Sequence, residues 1–232
     1  AWTAQLDYTC AEDAQGRRTC RVFYRPELPA GCPNACQYTQ LQEVNLAGLE
    51  LIKPDFTGAD LRRADLQDGR MIEPVFAEAD LRWLDAQHAY LIGAHLQNSD
   101  ARNARFAYAN LVAADLDSVQ AQGADFYHAD LSGAKLRRGD FTDAVLRHAD
   151  ISKVNARDAV FRGADLADAS LYAGLFYGVD FREADLQGAD LRRADFRLAQ
   201  FDGANLTGAM YNQLTRWPEG FDPEAAGAVF QY

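Results

Sequence analysis

An apolar side chain stands at every fifth residue of this chain from Leu41 to Tyr211, with no slip in phase. Of those 35 positions, 31 hold Leu, Phe, Met, Ile or Tyr, and the four exceptions are Ala86, Ala101, Ala121 and Ala156. A helix repeats roughly every 3.6 residues and a strand every two, so neither keeps such a series on one buried face over this length. A regularity of this extent requires an architecture of stacked, equivalent units.

Two residues before each large side chain is a second series that is nearly always small. From Val44 to Ala209, 26 of 34 such positions are Ala, Gly or Ser. Asp or Asn precedes the large residue in most units, as in Ala59-Asp60-Leu61-Arg62-Arg63 and Ala189-Asp190-Leu191-Arg192-Arg193. The unit is A-(D/N)-(L/F)-x-x. One large and one small inward side chain per unit suit a narrow tube, and Asp or Asn supplies acceptors for turning backbone.

These units resemble the pentapeptide-repeat family over residues 41–211, about three quarters of the chain. The resemblance implies an all-β fold: a right-handed quadrilateral parallel β-helix of about nine coils, four units to a coil. Residues twenty apart then stack at the usual ~4.8 Å strand spacing, giving a rod roughly 40 Å long. The sequence agrees with that stacking. Phe141, Phe161, Phe181 and Phe201 share one column above Ala101 and Ala121, Phe56 and Phe76 share another, Phe106 and Phe126 a third, and Pro54 and Pro74 are also twenty apart. Like side chains stacked in columns fill a narrow interior without voids.

Residues 1–40 stand outside the repeat as an N-terminal cap and contain all four cysteines, Cys10, Cys20, Cys32 and Cys36. Alternation through Leu6, Tyr8 and Cys10, a polar turn, then Cys20-Arg21-Val22-Phe23-Tyr24 reads as a hairpin. Two disulfides are expected, most simply Cys10 with Cys20 and Cys32 with Cys36, although sequence leaves three pairings open. Zinc is disfavoured because no His precedes His88 and the cysteines do not form two close pairs. Disulfides point to an oxidising compartment, and a first residue Ala1 fits removal of a signal peptide, so a periplasmic or extracellular location is expected. Free thiols at Cys10 and Cys20 in protein from its native source would overturn that expectation. Residues 212–232 read as a C-terminal capping tail, with Trp217 and Phe221 folding over the exposed coil end and Asp222-Pro223 starting a short helix.

No apolar run approaches the ~20 residues of a membrane span, so none is expected. The net charge is −11, but 16 of the 34 acidic residues are the Asp before a core position, so much of that charge accompanies turn chemistry. Surface information therefore lies in the two residues after each core position. Three columns there are non-random. Ile52, Ile72, Ile92 and Val112 form an outward apolar stripe, which the N-terminal segment, a partner protein or a second copy should cover. Arg62, Arg82, Arg102, Arg162 and Arg182 form a basic stripe, expected to interleave with neighbouring carboxylates. His88, Tyr108, His128 and His148 form the third; His128 and His148 are weak metal candidates without a third ligand, and no metal site is assigned.

No nucleophile elbow, phosphate-binding glycine loop or zinc-protease helix occurs, so neither an enzymatic role nor a cofactor is expected. The reading is a non-catalytic, exported module that presents flat faces to a protein partner or to itself, without direct nucleic-acid binding. The resemblance also implies an alternative, since some members of the family mimic duplex DNA and inhibit or protect DNA gyrase. The cysteines, the Arg stripe and the unbroken repeat oppose that alternative here.

Overall fold

The computed structural model describes the backbone of residues 4–12 and 18–26, together with Cys32 and residues 36–232. From Gln40 onward, each residue preceding a core position bridges in parallel to the residue twenty further on, from Gln40 with Asp60 through Asp190 with Met210. Four five-residue sides therefore make one coil, and the coils stack into a four-sided parallel β-helix. The sides are called here the first (Leu41 to Phe201), second (Leu46 to Leu206), third (Leu51 to Tyr211) and fourth (Phe56 to Phe196) faces, after their core columns.

Each corner follows from local chemistry. The residue three after a core position donates its amide back to that core carbonyl, as Ala64 does to Leu61 at 3.0 Å. The intervening residue two after the core has positive φ throughout, for example 57° at Arg63 and 61° at Gly58, the geometry a type II turn requires. The Asp or Asn before the core closes the corner from outside: its Oδ1 accepts from the amide two residues on, at 2.8 Å for Asp150 with Ser152 and 3.0 Å for Asp65 with Gln67. The repeated acid is thus an Asx turn. Where Pro54 and Pro74 remove the turn-closing amide, the chain stays extended as β3 (Glu50–Ile52) and β4 (Arg70–Ile72), which pair in parallel.

The interior is filled by the two inward series. Phe141, Phe161 and Phe181 stack at 4.9 and 5.5 Å between ring centroids, and Phe106 on Phe126 at 5.1 Å. Three of the four small core residues are compensated within their own unit: Leu84 precedes Ala86, Val119 precedes Ala121 and Val154 precedes Ala156, and all six side chains are buried, whereas Ala101 follows the small Ser99. One coil above Val119 and Val154 the small position becomes Gly139 and Gly174. Volume is conserved around the tube even where the two inward residues exchange size.

At the N-terminus, β1 (Ala4–Glu12) and β2 (Arg18–Pro26) form an antiparallel ribbon whose register sets Cys10 opposite Cys20. The side chains of Cys10 and Cys20, and so the bond expected between them, lie outside the described residues. Cys32 and Cys36 are joined by a disulfide. At the other end the ladder continues beyond Tyr211, but with an offset of 21 residues between Asp195 and Arg216. That one-residue slip sets Trp217 over Phe196 at 5.2 Å and Phe221 beside Phe201 at 4.9 Å. The short helix expected after Asp222 is instead a single turn: Asp222 Oδ1 accepts from the amides of Glu224 and Ala225, and Gly227, at positive φ, redirects the chain at once. The chain then enters β6 (Val229–Phe230), which pairs in parallel with β5 (Met210–Tyr211).

Candidate interaction faces

The first face carries the Arg stripe, and its charges are paired along the rod axis. Arg62, Arg82 and Arg102 each grip the Asp two residues earlier with both arms of the guanidinium, Nε to Oδ1 at 2.8 Å and Nη2 to Oδ2 at 2.6 Å. Arg62 and Arg82 also approach the Asp of the next coil, Asp80 at 3.5 Å and Asp100 at 3.6 Å. The result is a continuous acid–base zipper from Asp60 to Arg102. Higher on this face Arg182 grips Asp180 in the same way, whereas Arg162 only approaches Glu183 at 4.0 Å. The fork matches the carboxylate in plane, so each pair is directional as well as charged.

Hydrogen bonds from Arg62, from Arg182 and, on the fourth face, from Arg197, opposed by partial burial, hold the carboxyls of Asp60, Asp180 and Asp195 respectively below the usual aspartate range. A carboxylate more acidic in the folded state stabilises the fold above its unfolded pKa, and that contribution is lost as pH falls through the folded value. The melting temperature should therefore hold steady from pH 7 to about 5 and fall below about pH 4, near the ordinary aspartate pKa. A thermal melt series across pH 7 to 2.5 checks this. A maximum near pH 3 would contradict the zipper.

The second face bears the ring column at its corner. His88, Tyr108, His128 and His148 stack nearly parallel, with centroids 4.9, 5.3 and 4.7 Å apart. Tyr127 meets Tyr108, His128 and His148 edge-on at 5.5, 4.4 and 5.9 Å. Stacking covers both faces of Tyr108 and His128 and one face of His88 and of His148. His148 Nδ1 lies 3.9 Å from Asp168 Oδ2. Among the described residues no three His, Cys, Asp or Glu side chains converge as a metal site.

The third face carries the apolar stripe. Ile52 and Ile72 are 74% and 47% exposed, while Ile92 and Val112 are half-buried by their column neighbours. In the units 89–93 and 109–113 this face shows Tyr90, Ile92, Asn110 and Val112, with no charged residue in either unit. Below them, Lys53 pairs with Glu73 at 2.7 Å and Arg70 with Glu50 at 3.5 Å. On the fourth face, Asp117 is buried and accepts from the amide, Nε and Nη2 of Arg137 one coil above.

One feature had no signal in the residue pattern. Trp83 occupies a left-handed corner position (φ 57°), is 47% exposed, and has the guanidinium carbons of Arg63 and Arg82 at 5.7 and 5.8 Å from its ring. With Gln42, Glu43, Arg62 and Arg63 it lines a shallow, open cavity of about 350 Å³. A corner column of Glu43, Arg63, Trp83 and Asn103 carries no regularity that singles out the indole.

A sealed four-sided coil with Asx-closed corners defines a right-handed quadrilateral β-helix. A sequence model described as "Pentapeptide repeats" matches eight copies within residues 36–71, 79–117, 102–138, 140–173 and 175–209, and the chain belongs to the pentapeptide-repeat family. Among solved structures, the chain is similar to HetL, a pentapeptide repeat protein involved in heterocyst differentiation regulation from the cyanobacterium Nostoc sp. strain PCC 7120. The two are 27% identical, with a TM-score of 0.66 over 86% of this chain and 88% of that one. Full-length QnrB1, a plasmid-mediated fluoroquinolone resistance protein, shares the fold at 17% identity, with a TM-score of 0.55 over 84% of this chain and 92% of that one. No curated protein matches. Among the described residues no helix is long and apolar enough to cross a membrane.

Proposed function

We propose that this protein is a non-catalytic interaction module, a rigid rod that offers flat β-faces to a protein partner or to a second copy. One observation carries the reading: the outward groups are committed to the rod itself. The Asp side chains close corners and hold guanidiniums, and the imidazoles stack on one another. Groups held in this way act as a fixed pattern for recognition rather than as acids, bases or nucleophiles. Location in an oxidising compartment is part of the reading, supported by the Cys32–Cys36 bond and tested by the thiol measurement named above.

The alternative is a DNA mimic acting on a nucleic-acid enzyme such as DNA gyrase. Rod shape, a net charge of −11 and a fold shared with QnrB1 favour it. The Asp60–Arg102 zipper opposes it, because it neutralises the first face along three coils where a duplex mimic needs a continuous acidic surface. A supercoiling assay with purified gyrase separates the two. Unchanged supercoiling, with and without a fluoroquinolone, is the expected result. Inhibition or drug protection at near-equimolar protein would replace the proposed reading by the alternative.

A further inference from the structure

We infer that the β1–β2 ribbon docks on the third face and covers the column Ile52, Ile72, Ile92 and Val112. Two incomplete surfaces within one chain lead to this. The first is the stripe itself, most exposed at Ile52 and bordered by two units without charge, on a protein of net charge −11. Contiguous apolar surface of this kind is rarely left in water.

The second is the ribbon. Residues directly opposite each other in an antiparallel pair share a face. The register therefore places Leu6 with Tyr24, Tyr8 with Val22 and Cys10 with Cys20 on one face, and Gln5 with Arg25, Asp7 with Phe23 and Thr9 with Arg21 on the other. The first face is apolar from Ala4 with Pro26 to Cys10 with Cys20 and ends on the charged pair Glu12 with Arg18, whereas the other is largely polar. A lone two-stranded ribbon is marginal in water and needs an apolar surface to pack against.

The tether brings the two together. Cys36 sits in register beneath Phe56, its amide donating to the carbonyl of Asp55 in the coil above at 2.8 Å, as Leu41 donates to Asp60 and Phe56 to Val75. The disulfide holds Cys32 at a Cα–Cα distance of 4.9 Å from Cys36, so the preceding chain leaves the rod at its base, the end nearest Ile52. The five residues 27–31 can span up to ~17 Å, enough to turn the ribbon onto the adjoining face. A nine-residue strand is roughly 30 Å long, and the stripe from Ile52 to Val112 covers three coil steps, roughly 14 Å. The ribbon is therefore long enough to cover all four residues. A second copy is the poorer occupant, because a stripe this small buries far less than the ~800 Å² per partner of a stable interface.

The test uses the full-length chain with a benzophenone side chain installed at position 72 and, as a control, at position 142 on the first face. Irradiation should give a monomeric product from position 72 whose cross-linked peptide lies within residues 4–26, and none from position 142. The double variant Tyr8→Asp with Val22→Asp should lose that product while the rod keeps its melting temperature. A cross-linked dimer, or a monomer without a link to residues 4–26, overturns the inference. The readout is a contact within one chain, so neither result bears on whether the rod binds a partner.

Discussion

Leu191→Asp is expected to destabilise the protein by about 4 kcal/mol or more, because it leaves an unpaired charge in an apolar interior. Leu191 is fully buried in the column between Leu171 and Tyr211, and its backbone is already engaged: the amide donates to Met210 and the carbonyl accepts from Ala194 and from Thr215 Oγ1. The loss should be local first, since each coil touches only its neighbours and a solenoid fails at its weakest interface. Hydrogen exchange should rise from residue 171 to the C-terminus before the middle of the rod responds. Arg192→Ala, one residue later, removes an outward guanidinium held by Asp190, and half-exposed ion pairs of this kind contribute less than about 1 kcal/mol. Urea unfolding of the two variants side by side is the check. Equal losses would mean that the inward and outward positions have been exchanged.

Gly174→Ala should cost about 1–3 kcal/mol, the usual range for overpacking a filled core. A Cβ at position 174 would lie 2.4, 3.0 and 3.2 Å from three ring carbons of Phe176. That ring is fully buried, stacked on Phe196 at 5.4 Å and tilted against Phe181 at 5.7 Å, so it cannot swing into solvent. The neighbouring coil explains why glycine is needed. Val154 and Ala156 exchange the usual small and large sizes one coil below, which shifts volume toward the position that Gly174 vacates. Gly133→Ala is the matched comparison: its Cβ would meet nothing within 4 Å, and only its left-handed φ of 70° opposes the change. Thermal unfolding of both variants distinguishes crowding from backbone strain. A smaller loss at position 174 than at position 133 would show that the core can absorb a methyl group there.

Much of the fold was legible before any coordinates because every coil imposes the same demand. Each side needs one large and one small inward residue and an acceptor at its corner, and these needs recur every five residues. The columns that decide surface neighbours were legible for the same reason. His88, Tyr108, His128 and His148 do lie one above another, and the Arg stripe does interleave with Asp60, Asp80 and Asp100. Tyr127 was not legible as their edge-on partner, because it belongs to a different position of the repeat and reaches the ring column only around the corner. Trp83 was missed because a single aromatic in a column of unlike neighbours carries no pattern.

The resemblance to the pentapeptide-repeat family supplied four sides to a coil, with which the twenty-residue columns agree; the period of five by itself determined a repeated unit and its inward and outward positions. Those follow from local sterics and burial, which act identically in every unit. Only the tertiary structure decided how unlike units are reconciled: the size exchanges at Leu84–Ala86, Val119–Ala121 and Val154–Ala156, the bidentate grip of each Arg on its Asp, and the one-residue slip that seats Trp217 on Phe196. Close packing sums volume across coils and corners, so a residue's fit there depends on neighbours twenty positions away rather than on its own unit.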